Sequence, residues 1–176
     1  NLWVWQIKLL MSISIDILYK YVYNLKRYSM LYQITDAADP LVQLIRDDPV
    51  RPDIPISFRL GANCSIYILL SDDEYALPLA VVCVCHKDQV PKSVDELMAE
   101  NISDIKVAVF YTIWSYKPGA GRKLITEACK YIRSNNTDIK KYVTLSPPTE
   151  MAKIFHLRNG AQVLNINNDT VNYSYD

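Results

Sequence analysis

Two groups of residues in this 176-residue chain have the types and spacing to do chemistry. The first is Gly119-Ala120-Gly121, which follows an apolar run at residues 105–114 (IKVAVFYTIW) and precedes an amphipathic one. Glycines at a strand-to-helix turn let the backbone turn tightly and admit a ligand close to it. The amides of such a turn and of the helix start present partial positive charge and can cradle a pyrophosphate. Lys117, Arg122 and Lys123 add full charges at the same edge. The pattern is neither a P-loop, GxxxxGK[ST], nor a dinucleotide-binding GxGxxG. GxG alone reads first as an ordinary tight turn. The second group is the cysteines, Cys64, Cys83, Cys85 and Cys129. Cys83 and Cys85 alternate within an apolar run, so on a strand both face one side. With only His86 beside them they fall short of a zinc site. The expectation is buried, reduced thiols, no metal, and a cytoplasmic protein.

The elements that would position these groups are legible from periodicity. Half of the residues are hydrophobic and 22% are charged, enough for a packed core in one domain. Residues 31–35 read as a short strand, and residues 36–45 as a short helix with Asp36 as its N-cap. Three prolines at residues 47–55 exclude long regular structure. Residues 64–70 and 76–85 read as a hairpin around the polar turn Ser71-Asp72-Asp73-Glu74. Ser93 with Glu96 reads as a capping box. Strand 105–114 leads through the glycine turn into helix 122–133, with Leu124, Ile125, Ala128, Cys129 and Ile132 on its inner face. Strand 141–145, a helix from Pro148 or Thr149 to Leu157 stopped by Gly160, and a closing hairpin at 162–166 and 170–175 complete the domain.

Residues 1–29 differ from the rest. They carry four basic residues against one acidic among apolar and aromatic side chains. Lys8, Asp16 and Lys20 interrupt them too often for a membrane span. Neither a basic leader nor a small-residue cleavage site marks a signal peptide. The expectation is a helix docked on its own domain or on a partner, with membrane-surface binding as the alternative. The chain opens on Asn1, and Met11 and Met30 offer internal starts.

The glycine turn in its context resembles the acetyl-CoA-binding motif [RQ]xxGx[GA] of the GNAT acetyltransferase superfamily, here Tyr116-Lys117-Pro118-Gly119-Ala120-Gly121. Val109, Phe110 and Tyr111 match the apolar strand before that motif, and Leu124 and Ile125 the apolar pair after it. Residues 149–161 (TEMAKIFHLRNGA) are similar to the family's later helix, NxxAxx[LF]YxxxGF, 33 residues on from Gly119 to Ala152. The chain departs from the pattern at Tyr116, at Pro118, which removes a backbone donor, at Thr149 and at His156. The Gly-Ala ending resembles that of small phage-encoded members.

The resemblance implies an α/β GNAT fold over residues 30–176, with a mixed, mostly antiparallel sheet of six to seven strands and about four helices. It implies acetyl-CoA as co-substrate, with Phe110, Tyr111 and Thr112 pairing with the pantetheine arm. Tyr116, Lys117, Gly119, Ala120, Gly121, Arg122 and Lys123 would lie about the pyrophosphate. His156 stands where family members often carry the Tyr that reprotonates the CoA thiolate. It would do so if a neighbour raised its pKa; the alternative is a packed helix residue. No carboxylate lies on strand 107–114 to act as general base. Asp72, Asp73 and Glu74 lie on a turn, and Glu150 suits a helix start. The implied activity is direct N-acetyl transfer to a primary amine of a small molecule or protein; a catalytically silent binding or structural protein is the alternative. Equal numbers of acidic and basic residues, 19 of each, exclude a strongly basic chain, and no nucleic-acid partner is expected. Homodimers are common in the family.

Overall fold

The β-branched and aromatic runs become strands β1 (Ser29–Ile34), β2 (Cys64–Ser71), β3 (Pro78–Lys87), β4 (Val107–Ser115), β5 (Lys141–Thr144), β6 (Gln162–Ile166) and β7 (Val171–Ser174) in a computed structural model that describes residues 29–176. They join in one seven-stranded sheet of order β1-β2-β3-β4-β5-β7-β6. β1 to β4 run as an antiparallel meander. β4 and β5 are parallel, which demands a crossover. Helix α3 (Ala120–Asn135) supplies it. The β6–β7 hairpin then attaches to β5 through β7, antiparallel. The expected mixed, mostly antiparallel sheet is present, with short helices α1 (Ile56–Arg59) and α2 (Val94–Met98) and the nine-residue α4 (Glu150–Arg158) beside α3.

The sheet separates two cores. On one face α3 lays Leu124, Ile125, Ala128, Cys129 and Ile132 against Tyr67, Val82, Val84, Ala108 and Phe110. These are the five helix positions expected from the 3.6-residue period. On the other face Ile34, Ile66, Ile68, Cys83, Cys85, Val109, Tyr111 and Trp114 form a second core, covered from residues 41–60.

Local chemistry shifts some boundaries. The first helix is a 3-10 helix at Pro40–Asp47, and its N-cap is Asp39, not Asp36. Pro40 has no amide hydrogen and suits the first helical turn, which makes the preceding Asp39 the cap, bonded to the Leu41 amide at 2.8 Å. Asp36 instead accepts from the Ala38 amide in a local turn. The capping box is half formed. Ser93 Oγ accepts from the Glu96 amide, but Glu96 Oε2 reaches the amide of Lys92 rather than that of Ser93. α3 begins two residues earlier than its amphipathic pattern, at Ala120. The N-terminal extension expected at residues 1–29 lies outside the described residues except for Ser29, which opens β1. Among the described residues no helix is long and apolar enough to cross a membrane.

Candidate active site

The site arises where two parallel strands stop pairing. β4 and β5 are in register from Val107–Lys141 to Phe110–Thr144. The Leu145 amide still donates to the Phe110 carbonyl at 3.1 Å. Ser146 then turns away and exchanges both backbone hydrogen bonds with Val171. From Tyr111 onward, the edge of β4 that faced β5 has no strand beside it among the described residues. A bulge falls at the same place: Cys83 pairs with Thr112 and Val84 with Phe110, leaving Tyr111 as the extra residue. Bulges re-aim side chains and leave backbone groups unpaired. Here Tyr111 packs in the same core as Val109 and Trp114, and Thr112 is turned onto Asp48.

The parting strands open a cleft of about 340 Å³. Phe110, Trp114, Val50, Pro147, Met151 and Phe155 supply much of its wall. Ser146, Thr149 and His156 are among its polar side chains, with Tyr111, Thr112 and Ser115 of β4. Among the described residues no Asp, Glu, Lys or Arg lines it. Across Ser115, Gly121, Met151 and Phe155 the cleft continues into a second hollow that adds Gly119, Arg122 and Arg158.

His156 is buried at the cleft and held at both ring nitrogens. Nε2 lies 2.9 Å from Ser146 Oγ, and Nδ1 2.8 Å from the Tyr175 hydroxyl. Its ring stacks on Tyr173 at 4.8 Å between centroids. Ser146 Oγ donates in turn to Thr144 Oγ1 at 2.9 Å. This order assigns the neutral tautomer with Nε2–H donating to Ser146 and the Tyr175 hydroxyl donating to Nδ1. Burial pushes the His156 pKa down to about 4. The donating imidazolium asked for a neighbour that would raise the pKa. The neighbours are uncharged hydroxyls, so burial decides and the ring is neutral near pH 7. The condition set for a charged proton donor, a neighbour that raises the pKa, is not met among the described residues, and His156 lines the cleft as a buried, doubly hydrogen-bonded ring.

One wall rests on a buried ion pair that periodicity does not reveal. Arg59 Nη1 meets Asp48 Oδ2 at 2.8 Å with both side chains fully buried. Asp48 Oδ1 accepts from the Val50 and Arg51 amides and from Thr112 Oγ1 at 2.7 Å. Arg59 also donates to the carbonyls of Ile54 and Arg51 and to Cys83 Sγ. Asp48 thereby ties the Pro49–Val50 wall to β4. With both oxygens engaged it serves as a structural anchor, not as a free base. Sequence reading missed it because Asp48 sits in the proline-rich stretch, 64 residues from Thr112.

The glycine turn forms as expected. Gly119 caps α3 at φ +80° with no side-chain cap bond, a conformation that favours glycine. A Cβ there would meet nothing within 4 Å, so the space beside it is open to a ligand. Gly121 lets the turn of α3 pass the Phe155 ring, 3.4 Å from where its Cβ would stand. The other expected ligands divide. Gly119, Gly121 and Arg122 face the cleft and its extension. Lys117, Ala120 and Lys123 line a hollow on another side, with Asp72 and Asp73. Tyr116 donates its hydroxyl to Asp47 at 2.7 Å and accepts from Trp114 Nε1, which ties it to the 3-10 helix rather than to the turn. Of the expected strand contacts, Phe110 turns its ring into the α3 core, and Tyr111 and Thr112 present free backbone edge. Phe155 stands at the [LF] position of the later-helix motif, whereas Ser146 and Arg158 join the site without a motif position to announce them.

No known family profile matches this sequence, and no curated protein sequence matches it. Solved structures do match. Malonyl-CoA decarboxylase from Agrobacterium vitis superposes with a TM-score of 0.60 at 21% identity, over 73% of this chain and 35% of that one. The chain thus spans about a third of the length of the decarboxylases it matches. A putative acetyltransferase of the GNAT family from Desulfovibrio desulfuricans gives 0.57 at 12% identity, over 85% of this chain and 99% of that one. A Bacillus subtilis acetyltransferase in complex with CoA gives 0.56 at 12% identity with the same coverage. The chain has the GNAT fold. The exclusion of nucleic-acid partners does not hold: the KacTA–DNA complex, TM-score 0.53 at 15% identity, and AtaT complexed with acetyl-methionyl-tRNAfMet, 0.52 at 13%, share this fold. Net charge sums over the whole chain and says nothing of a local surface.

Proposed function

We propose that this chain binds an acyl-CoA along the free edge of β4 and removes CO2 from a malonyl-type thioester. The observation that carries the reading is the buried contact of Ser146 Oγ with His156 Nε2, 2.9 Å, at an apolar cleft that no charged side chain lines among the described residues. In the reaction the bond from the thioester's α-carbon to its carboxyl carbon breaks and CO2 leaves. The electron pair stays on the thioester as an enolate, and one proton on the α-carbon yields acetyl-CoA. The protein must then hold an oxyanion and deliver a proton. The Tyr111 amide at the bulge suits the first task. The Ser146 hydroxyl, backed by neutral His156 and Tyr175, suits the second. Among the described residues no Arg or Lys lines the cleft to hold the substrate carboxylate in an ion pair, so the charged ground state gains little from them relative to the more dispersed enolate. The Gly119 cradle and Arg122 and Arg158 would take the CoA phosphates. The decarboxylase neighbours, at 20–24% identity, support this reading.

Acetyl transfer to a primary amine is the second reading, favoured by the GNAT acetyltransferase neighbours and the glycine turn. An aminoacyl-tRNA then belongs among the acceptors tested, given the AtaT complex. This chemistry must deprotonate an ammonium, and among the described residues no carboxylate lines the cleft to do so. The deciding experiment offers the full chain malonyl-CoA alone, then acetyl-CoA with a panel of amines. Acetyl-CoA and CO2 from the first, lost about 10²-fold or more in Ser146→Ala and His156→Gln, supports decarboxylation. Free CoA thiol formed only when an amine is present would replace it with acetyl transfer.

A further inference from the structure

We propose that Cys64 and Cys85 form a cross-strand dithiol that is oxidised to a disulfide by exchange with a low-molecular-weight disulfide, a modification site separate from the acyl-CoA cleft. Cys64 on β2 lies directly opposite Cys85 on β3 in the antiparallel ladder. The neighbouring pair carries the backbone bond, His86 amide to Asn63 carbonyl, and the Cys64 amide bonds elsewhere, to the Gly61 carbonyl. Cys64–Cys85 is therefore a non-hydrogen-bonded pair, in which opposed Cα atoms stand about 4.5 Å apart and side chains are closest. That separation falls within the range a disulfide spans, about 4.4–6.8 Å. Both cysteines are free thiols.

Access is selective. Cys64 is half-buried and lines a groove of about 460 Å³ with Cys85, Phe58, Lys87, Leu97 and Met98. Cys83 is fully buried against Arg59, and Cys129 lies in the α3 core. A thiol hydrogen bond between the two raises Cys64 and lowers Cys85, and the buried Lys87 ammonium favours thiolate on both. The negative charge of the pair therefore rests on Cys85, and Cys64, the more exposed of the two, becomes the nucleophile as its proton moves along that hydrogen bond toward Cys85.

The steps balance. Cys64 sulfur attacks one sulfur of the external disulfide; that S–S bond breaks, and one small thiol leaves with the proton Cys64 gives up. Cys85 sulfur then attacks Cys64 sulfur in the mixed disulfide, and the second small thiol leaves with the Cys85 proton. Two chain thiols are oxidised by two electrons, and one external disulfide is reduced to two thiols.

The test equilibrates the full chain with mixtures of reduced and oxidised glutathione, alkylates it under denaturing conditions and maps it by mass spectrometry. Cys64 and Cys85 are expected to lose alkylation together and to appear as one linked peptide pair, while Cys83 and Cys129 stay alkylated. In Cys85→Ser, Cys64 is expected to stop at the glutathione adduct; in Cys64→Ser no adduct is expected at Cys85. Independent alkylation of Cys64 and Cys85 at the most oxidising mixture would overturn the proposal. So would a link from Cys64 to Cys83 or Cys129, or a glutathione adduct on Cys64 that persists with Cys85 intact.

Discussion

His156 shows at the scale of one residue how context decides chemistry. The motif position suggests a proton donor, but the ring's partners are hydroxyls and its surroundings are dry, so its pKa falls to about 4. The sign of the linkage follows. The unfolded chain binds a proton at His156 near pH 6.5 and the folded chain does not, so the contribution is complete above pH 6.5 and is lost as pH falls from 6.5 towards 4. A shift of this size corresponds to about 3 kcal/mol. Urea unfolding at pH 7 and pH 4.5 is expected to show that loss, smaller in His156→Gln; equal pH dependence in both proteins would show that the ring is protonated in the fold. His86, also lowered by burial, adds to the same window and remains in the variant. Asp48 makes the complementary point. Its role is invisible beside Pro49 in the sequence, because its partners Arg59 and Thr112 are brought in by the fold. Asp48→Ala leaves the Arg59 guanidinium buried and unpaired and is expected to cost about 3–5 kcal/mol, measured by the same unfolding; a loss below about 1 kcal/mol would show that water reaches Arg59.

At the scale of elements, the β4–turn–α3 unit was the legible part. Its signals are local: a β-branched and aromatic run, a GxG and a 3.6-residue apolar period. The bulge at Tyr111 was not legible, because it is a property of the β3–β4 pairing rather than of either strand. The Ser146–His156–Tyr175 line was hidden for the same reason, as it joins the segment after β5, α4 and the residue after β7 across the splay. The two glycines of the turn are expected to respond differently to substitution. Gly119 needs φ +80° but has open space, so Gly119→Ala is expected to cost about 1–2 kcal/mol of backbone strain and to place a methyl in the cradle. Gly121 is helical with ordinary contacts at the Cβ position, so Gly121→Ala is expected to fold and bind CoA nearly as the parent does, whereas Gly121→Val presses on the Phe155 ring. Calorimetric titration with CoA checks the order; equal affinity in parent, Gly119→Ala and Gly121→Val would remove the turn from the CoA site.

At the scale of the whole molecule, the sheet is built as two halves that meet at the cleft. The β1–β4 meander is tied by extensive ladders, whereas β5 joins the β7 segment through the register pair Val143–Ser174, the Ser146–Val171 bridge and the Tyr175 amide on the Tyr142 carbonyl. The β6–β7 hairpin and α4 therefore depend on few backbone bonds to the rest, and an acyl-CoA lying between β4 and α4 would contact both halves. A ligand that binds only the folded chain adds stability by mass action, roughly 2.7 kcal/mol at 100 times its dissociation constant. For a chain of this size that corresponds to an increase in Tm of about 5–10 °C. Both CoA and acetyl-CoA are expected to raise Tm, since both carry the phosphates and pantetheine that the β4 edge and the glycine turn would hold. Hydrogen exchange separates this gain from nonspecific stabilisation: amides of β7 and α4 are expected to gain protection with CoA, and β2, remote from the cleft, much less. Uniform protection across the sheet would place the ligand elsewhere. An unchanged Tm at millimolar CoA, in a chain that unfolds cooperatively, would mean that the fold is kept without its ligand.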